Sequence, residues 1–190
     1  MANLLPVSLL LALLFYSQLH PLYAFVKLVA VGTRIEFRSK VKHINASHQF
    51  YRGDSLTEQS LDMKLDIASP LREMKQLYFS YYPILGNSTA RTALVKRTVD
   101  LCFYIQHPNS DRLLRIVYDY VRERSNLPER CPVEPGSYYI RNAKPSDVPV
   151  PAFIPESEFM LELIYRNEVR REIMLEFRFY GKLVRVLGAF

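Results

Sequence analysis

Phe159-Met160-Leu161-Glu162-Leu163-Ile164-Tyr165-Arg166 and, a few residues on, Glu172-Ile173-Met174-Leu175-Glu176-Phe177-Arg178-Phe179-Tyr180 are the two runs whose reading decides the fold. In the second run Ile173, Leu175, Phe177 and Phe179 alternate with Glu172, Met174, Glu176 and Arg178. That period of two turns one face of a strand inward and the other toward water. Phe159, Leu161, Leu163 and Tyr165 alternate likewise with Met160, Glu162, Ile164 and Arg166. The short polar link around Arg166-Asn167-Glu168 folds the two runs into an antiparallel hairpin.

Further strands are expected outward from this hairpin. Leu77, Phe79 and Tyr81 alternate before Pro83, and residues 61–67, 93–99 and, more weakly, 35–41 show strand character. The period changes in one place. Leu113, Leu114, Val117, Tyr118 and Val121 fall at helical spacing after Asn109, Ser110 and Asp111, which suit an N-cap, so a single amphipathic helix is expected to end near Ser125. Its Arg112, Arg115, Asp119, Arg122 and Glu123 belong to a solvated face. Residues 144–155 carry Pro145, Pro149, Pro151 and Pro155 and cannot form a central strand, because proline lacks the ladder donor. They read as a crossover within one domain. The expected fold is mainly β: an antiparallel immunoglobulin-like β-sandwich with one amphipathic helix between the two cysteines.

Composition agrees with a single globular domain. The chain has 190 residues, 49% hydrophobic and 23% charged, with 6 glycines and a net charge of +6. These values exclude a disordered chain, a polytopic membrane protein and a collagen. Residues 4–14 are almost wholly apolar and are followed by Gln18, His20 and Pro21, then Leu22-Tyr23-Ala24. Residues 1–24 therefore read as a cleaved secretory signal peptide, and 25–190 as the mature domain. An uncleaved spanning helix would need about 20 unbroken apolar residues. Two glycosylation triplets suit a secreted chain: Asn45-Ala46-Ser47 and Asn87-Ser88-Thr89.

Cys102 and Cys131 are the only cysteines, and one pair in a secreted protein is most simply a disulfide. Closing that loop would destabilise the unfolded chain by roughly 3.6 kcal/mol. Two buried free thiols are the alternative for a cytosolic location. Neither a zinc pattern nor an acidic metal cluster accompanies the pair, so no metal and no cofactor is expected. There is no nucleophile elbow, no His-Glu-x-x-His and no glycine-rich phosphate loop. His43, His48 and His107 read as surface or hydrogen-bonded structural residues, since no nucleophile is marked beside them. The chain is not expected to be an enzyme.

Residues 25–53 hold Lys27, Arg34, Arg38, Lys40, Lys42 and Arg52 against Glu36 alone. Such a basic stretch suits peripheral contact with anionic lipid headgroups, or a solvated strand edge that discourages aggregation. No nucleic-acid recognition motif accompanies it.

Val99-Asp100-Leu101-Cys102-Phe103, then Ser125-Asn126-Leu127, Cys131-Pro132 and the proline-led run Pro155-Glu156-Ser157-Glu158-Phe159 resemble the pattern of an insect family of small secreted proteins related to the CheB chemosensory proteins. The resemblance covers roughly residues 35–180. It departs from the pattern at Ser157 and Phe159, where the family favours glycine and tyrosine, and in lacking further cysteines in the early strands. It implies a sandwich similar to the lipid-recognition proteins, such as the ganglioside activator and the Niemann-Pick sterol carrier, with an apolar cavity between its sheets. It also implies that Cys102 and Cys131 form the family disulfide.

Six inward-facing residues then become candidates for the lining of a ligand pocket: Phe79, Tyr81, Leu161, Leu163, Phe177 and Phe179. They would point inward in a solid core as well. Two functions follow. One is a secreted, non-enzymatic protein that sequesters or presents a small apolar ligand, a lipid or hydrocarbon, in a setting such as chemosensation. The other is an extracellular interaction module with a solid core, whose partner is a receptor or another secreted protein.

Overall fold

The computed structural model describes residues 26–40, 42, 44–72, 74–84, 92–151, 153–167 and 172–187. The expected leader (1–24), the Asn87 triplet and His43 lie outside the described residues. Contacts divide the chain into a compact unit, Leu28–Arg185, and a second made of Met1–Lys27 with Val186–Phe190, of which only strand ends are described.

The elements in chain order are β1 (Val26–Ser39), β2 (Ile44–Arg52), β3 (Gln59–Ile67), β4 (Met74–Ile84), β5 (Val95–Asp100), α1 (Leu101–Gln106), α2 (Arg112–Arg122), β6 (Gly136–Ala143), β7 (Glu158–Asn167) and β8 (Ile173–Leu187), with 3-10 turns at Pro108–Ser110 and Pro145–Asp147. The strands form two sheets, β1-β8-β7-β4-β5 and β2-β3-β6. The hairpin read from the sequence is the β7–β8 pair, antiparallel, with β7 also antiparallel to β4. The alternating apolar residues of these three neighbouring strands share the inner face of the wide sheet and meet the narrow sheet across the sandwich, which is the architecture the sequence pattern called for.

The two sheets differ in width, and that difference organises the core. Ile44 and Ile67 of the narrow sheet meet Leu77 and Leu175 of the wide one, and Leu61 and Ala143 meet Ile35. The rest of the wide sheet is covered by other elements. Tyr104 of α1, Leu113, Leu114 and Tyr118 of α2, and Val150 and Ile154 of the proline-rich crossover lie against Phe79, Tyr81, Val95 and Phe159. A three-stranded sheet cannot span a five-stranded one, so helices and crossover complete the second layer.

Local sequence explains how the helical cover is placed. The Asp100 carboxylate accepts the Phe103 N–H at 2.9 Å and caps α1, so the Asp-x-Cys motif starts the turn that carries Cys102. Asp111 caps α2 by accepting from Leu113 and Leu114 N–H at 3.0 and 3.1 Å, and also pairs with Arg97 of β5 at 3.2 Å. The Cys102–Cys131 disulfide is formed, with 5.6 Å between the Cα atoms.

Several expectations need correction. The helix between the cysteines is preceded by a second, α1, whose few apolar residues show no helical period by themselves. The helix expected to run to Ser125 stops at Arg122 because residues 124–126 turn to line the β6 edge. There the Arg141 N–H donates to the Arg124 carbonyl at 2.9 Å, and the Tyr139 N–H donates to Asn126 Oδ1 at 2.6 Å. Asn126 Nδ2 donates to the Ser137 carbonyl at 3.0 Å, so the Ser-Asn motif is an edge clamp. The early strand expected at 35–41 begins at Val26 and ends at Ser39. The strands β2 and β6 were not expected.

Candidate ligand-binding interior

Antiparallel register brings the six candidate residues together as two adjacent rows. Tyr81 of β4 pairs with Leu161 of β7, which pairs with Phe179 of β8; Phe79 pairs with Leu163, which pairs with Phe177. The rows cross the middle of the wide sheet on its inner face and join the three core clusters. Phe79 and Tyr81 are each 7% exposed, whereas Leu161, Leu163, Phe177 and Phe179 are only partly buried. Among the described residues no large side chain is less than 2% exposed. A filled sandwich of this size ordinarily seals its central positions completely.

Glycines shape this region where rings approach the backbone. A Cβ on Gly32 would stand 2.8 Å from the Phe50 ring and 3.1 Å from the Phe179 ring, and these two rings lie 6.4 Å apart. A Cβ on Gly181 would stand 2.7 Å from the Val31 carbonyl oxygen and 2.8 Å from the Phe159 ring. Phe159 in turn stacks with Tyr81 at 5.5 Å.

Tyr165 follows Leu163 on the inner face of β7 and belongs to the cluster around Leu77 and Leu175. Burial pushes its phenol up to about 12, the response of a group enclosed by protein. Yet part of its surface stays accessible.

The opposite face of the same strands departs from expectation. The alternation calls for a wet face, but Met160 is 3% and Glu162 9% exposed. Arg178 sits between three carboxylates: Glu162 at 2.8 Å, Glu36 at 3.9 Å and Glu176. Burial works against the Arg178 charge, but Glu162 and Glu176 outweigh it and raise its pKa. Tyr82 donates to Glu162 at 3.4 Å and Tyr180 to Glu36 at 3.3 Å. A groove of about 280 Å³ opens beside this network between Arg34, Ile84, Tyr180 and Lys182. Its charged rim distinguishes it from the apolar interior.

The remaining sequence candidates disperse. Asn45 is exposed on β2, opposite Asp66, in a strand rather than a loop. The basic stretch does not make one patch: Arg34 is tied to Glu36 at 3.1 Å and lies over the Tyr180 ring, while Lys40 and Lys42 precede β2 and Arg52 ends it, about 30 Å away at the usual strand rise. His48 is exposed, and the exposed His107 stacks on Phe103 at 4.5 Å. Among the described residues no group of three His, Cys, Asp or Glu could hold a metal ion, and no helix is long and apolar enough to cross a membrane. Outside the six candidates, the helical period marks the interior residues Leu114 and Tyr118 and strand alternation marks Tyr165, whereas nothing local marks Tyr104.

Fold and interior together define an immunoglobulin-like sandwich with one wide sheet, a composite cover and an apolar interior to which both layers contribute side chains. Residues 71–161 match a family described as a protein of unknown function, DUF1091. That segment runs from just before β4 into β7 and contains both cysteines. Among solved structures, the chain is similar to chicken MD-1, whose crystal structure is complexed with lipid IVa, at 15% identity over 84% of this chain and 99% of that one, with a TM-score of 0.37. No match was found among curated proteins.

Proposed function

We propose that the protein is a secreted, non-enzymatic carrier that holds a small apolar molecule between its sheets. The observation that carries this reading is the incomplete covering of inward-facing side chains at the centre of the wide sheet. Leu161, Leu163, Phe177 and Phe179 keep accessible surface although β7 and β8 are interior strands of the sheet. Tyr165 continues the same inner row on β7, packed with Leu77 and Leu175, and is also only partly covered. Interior room bordered by aromatic and aliphatic groups is what an alkyl chain or ring system requires. Each Å² of apolar ligand surface moved there from water contributes roughly 25 cal/mol, without any catalytic group. The disulfide and the exposed Asn45 triplet support an oxidising, secretory route. The family resemblance supports a chemosensory setting, with a lipid or hydrocarbon as guest.

The test is native mass spectrometry and lipid extraction of the protein secreted from eukaryotic cells and purified without detergent. A non-covalent adduct that extracts into organic solvent is the expected result. An adduct-free protein that also takes up no apolar fluorophore such as N-phenyl-1-naphthylamine would overturn the proposal and leave the solid interaction module in its place. Exposed Lys40 and Lys42 are the groups through which the carrier would touch an anionic bilayer. Their replacement by glutamine should weaken association with phosphatidylserine vesicles at low salt, and unchanged association would remove that contact.

A further inference from the structure

The two sheets have four edge strands, and three of them are defended. β6 is clamped by residues 124–126, β5 is short and carries exposed Lys96 and Arg97, and β1 carries exposed Lys27, Arg34 and Arg38. Charge, short length and cover are what keep one edge from pairing with another. β2 has none of these. It runs without a charged residue from Ile44 to Tyr51, and among the described residues its backbone pairs with β3 alone. Every second residue of β2 therefore turns an unpaired N–H and C=O outward.

The strand is also complementary to itself. Antiparallel pairing of two β2 strands about a two-fold axis at His48 sets Ala46 opposite Phe50, a small side chain against a ring, with Ser47 opposite Gln49 and Asn45 opposite Tyr51. The same register carried past the strand ends sets Lys42 of one copy opposite Asp54 of the other, twice by symmetry. Lys42 and Asp54 are both exposed, and among the described residues neither has an ion-pair partner within the chain. Ile44 belongs to the core, so Asn45 lies on the outer face of the sheet, and a sugar attached there would stand off that face rather than across the edge. We infer that β2 is the interface of a symmetric dimer, in which two copies of this chain join their three-stranded sheets into one of six strands. The pairing needs no guest and leaves the interior of each copy as it is.

Sedimentation equilibrium of the whole secreted protein over a wide concentration range tests this. Wild type should show a monomer–dimer equilibrium, and amide exchange in residues 44–52 should slow as the dimer forms while that of residues 26–39 stays unchanged. Asp54→Lys sets two lysines against each other at both ends of the interface and should weaken the dimer about tenfold, because two exposed pairs turn from attraction to repulsion. Adding Lys42→Asp restores opposite charges and should recover it. His48→Lys brings two ammonium groups together on the axis and should abolish it. The three positions are exposed, so thermal melts of the variants should match wild type and show that each is folded when its mass is compared. A monomer at every concentration would overturn the inference. So would a dimer indifferent to Asp54→Lys, one that the double variant does not recover, or one that protects strands other than β2.

Discussion

The two faces of strands β4, β7 and β8 do not divide into one buried and one wet face, since each mixes buried and partly covered residues. On the inner face, Leu161, Leu163, Phe177 and Phe179 are apolar and incompletely covered. On the outer face, Glu162 is 9% exposed and held by Arg178 and Tyr82. A carboxylate is thus better covered on one side than these four hydrocarbon side chains are on the other. The ion-pair network holds the sheet from outside by directional bonds, while the inner face holds it by packing.

The largest effect should come from cutting the covalent tie of the inner cover. Replacing both Cys102 and Cys131 by alanine should lower stability by about 3–4 kcal/mol in urea, from loop entropy returned to the unfolded chain. Amide exchange should quicken in α1 and α2 before it does in β7. Uniform acceleration would mean that cover and wide sheet do not separate.

Next comes the outer face. Arg178→Ala leaves the shielded Glu162 without its cation and should cost about 2–3 kcal/mol, the partial exposure of Arg178 keeping it below a fully buried pair. Replacing both Arg178 and Glu162 by methionine should restore most of that loss. If the single and double variants are equally unstable, the network contributes by shape rather than by charge.

On the inner face the contrast is between room and its absence. Leu175, 6% exposed, marks a filled position, so Leu175→Phe should cost about 1–3 kcal/mol, whereas Leu163→Phe should cost under about 1 kcal/mol and reduce uptake of the apolar fluorophore. Equal costs at the two positions would argue for a uniformly solid core.

The smallest effect is one of pH. The folded protein holds the Tyr165 proton up to about 12, whereas the unfolded chain releases it near the ordinary value of 10. The contribution of this group to stability is therefore complete below pH 10 and is lost as pH rises toward 12. Urea unfolding between these values should be less pH-dependent in Tyr165→Phe than in wild type; identical slopes would show that Tyr165 is not enclosed.

The hairpin of β7 and β8 was legible because uninterrupted alternation over a long run leaves register little freedom. Aligned with β4, it also made the inward set Phe79, Tyr81, Leu161, Leu163, Phe177 and Phe179 legible. The two strands that escaped are those whose inner faces are sparse. β2 offers Ile44, Ala46 and Phe50 among polar neighbours, and β6 opens at Gly136 after Pro135 and carries Asn142 at φ 49° just before its end at Ala143. Their pairing is set by β3 between them rather than by their own pattern. The depth of the outer face was hidden for another reason. Glu and Arg in alternation read as solvent-facing, and only register shows that Glu162 lies opposite Arg178. Tyr104 was hidden because a one-turn-and-a-half helix is too short to show a period.

The position of the sulfur bridge would limit how the proposed guest comes and goes. Cys102 belongs to α1 and Cys131 stands a few residues before β6, so the helical roof and the small sheet are riveted together at one corner. They cannot part like two doors. On the carrier reading proposed above, passage would instead use the stretch between β6 and β7, which no disulfide anchors and which packs Val150 and Ile154 against the core, so the proline-rich crossover would be the threshold.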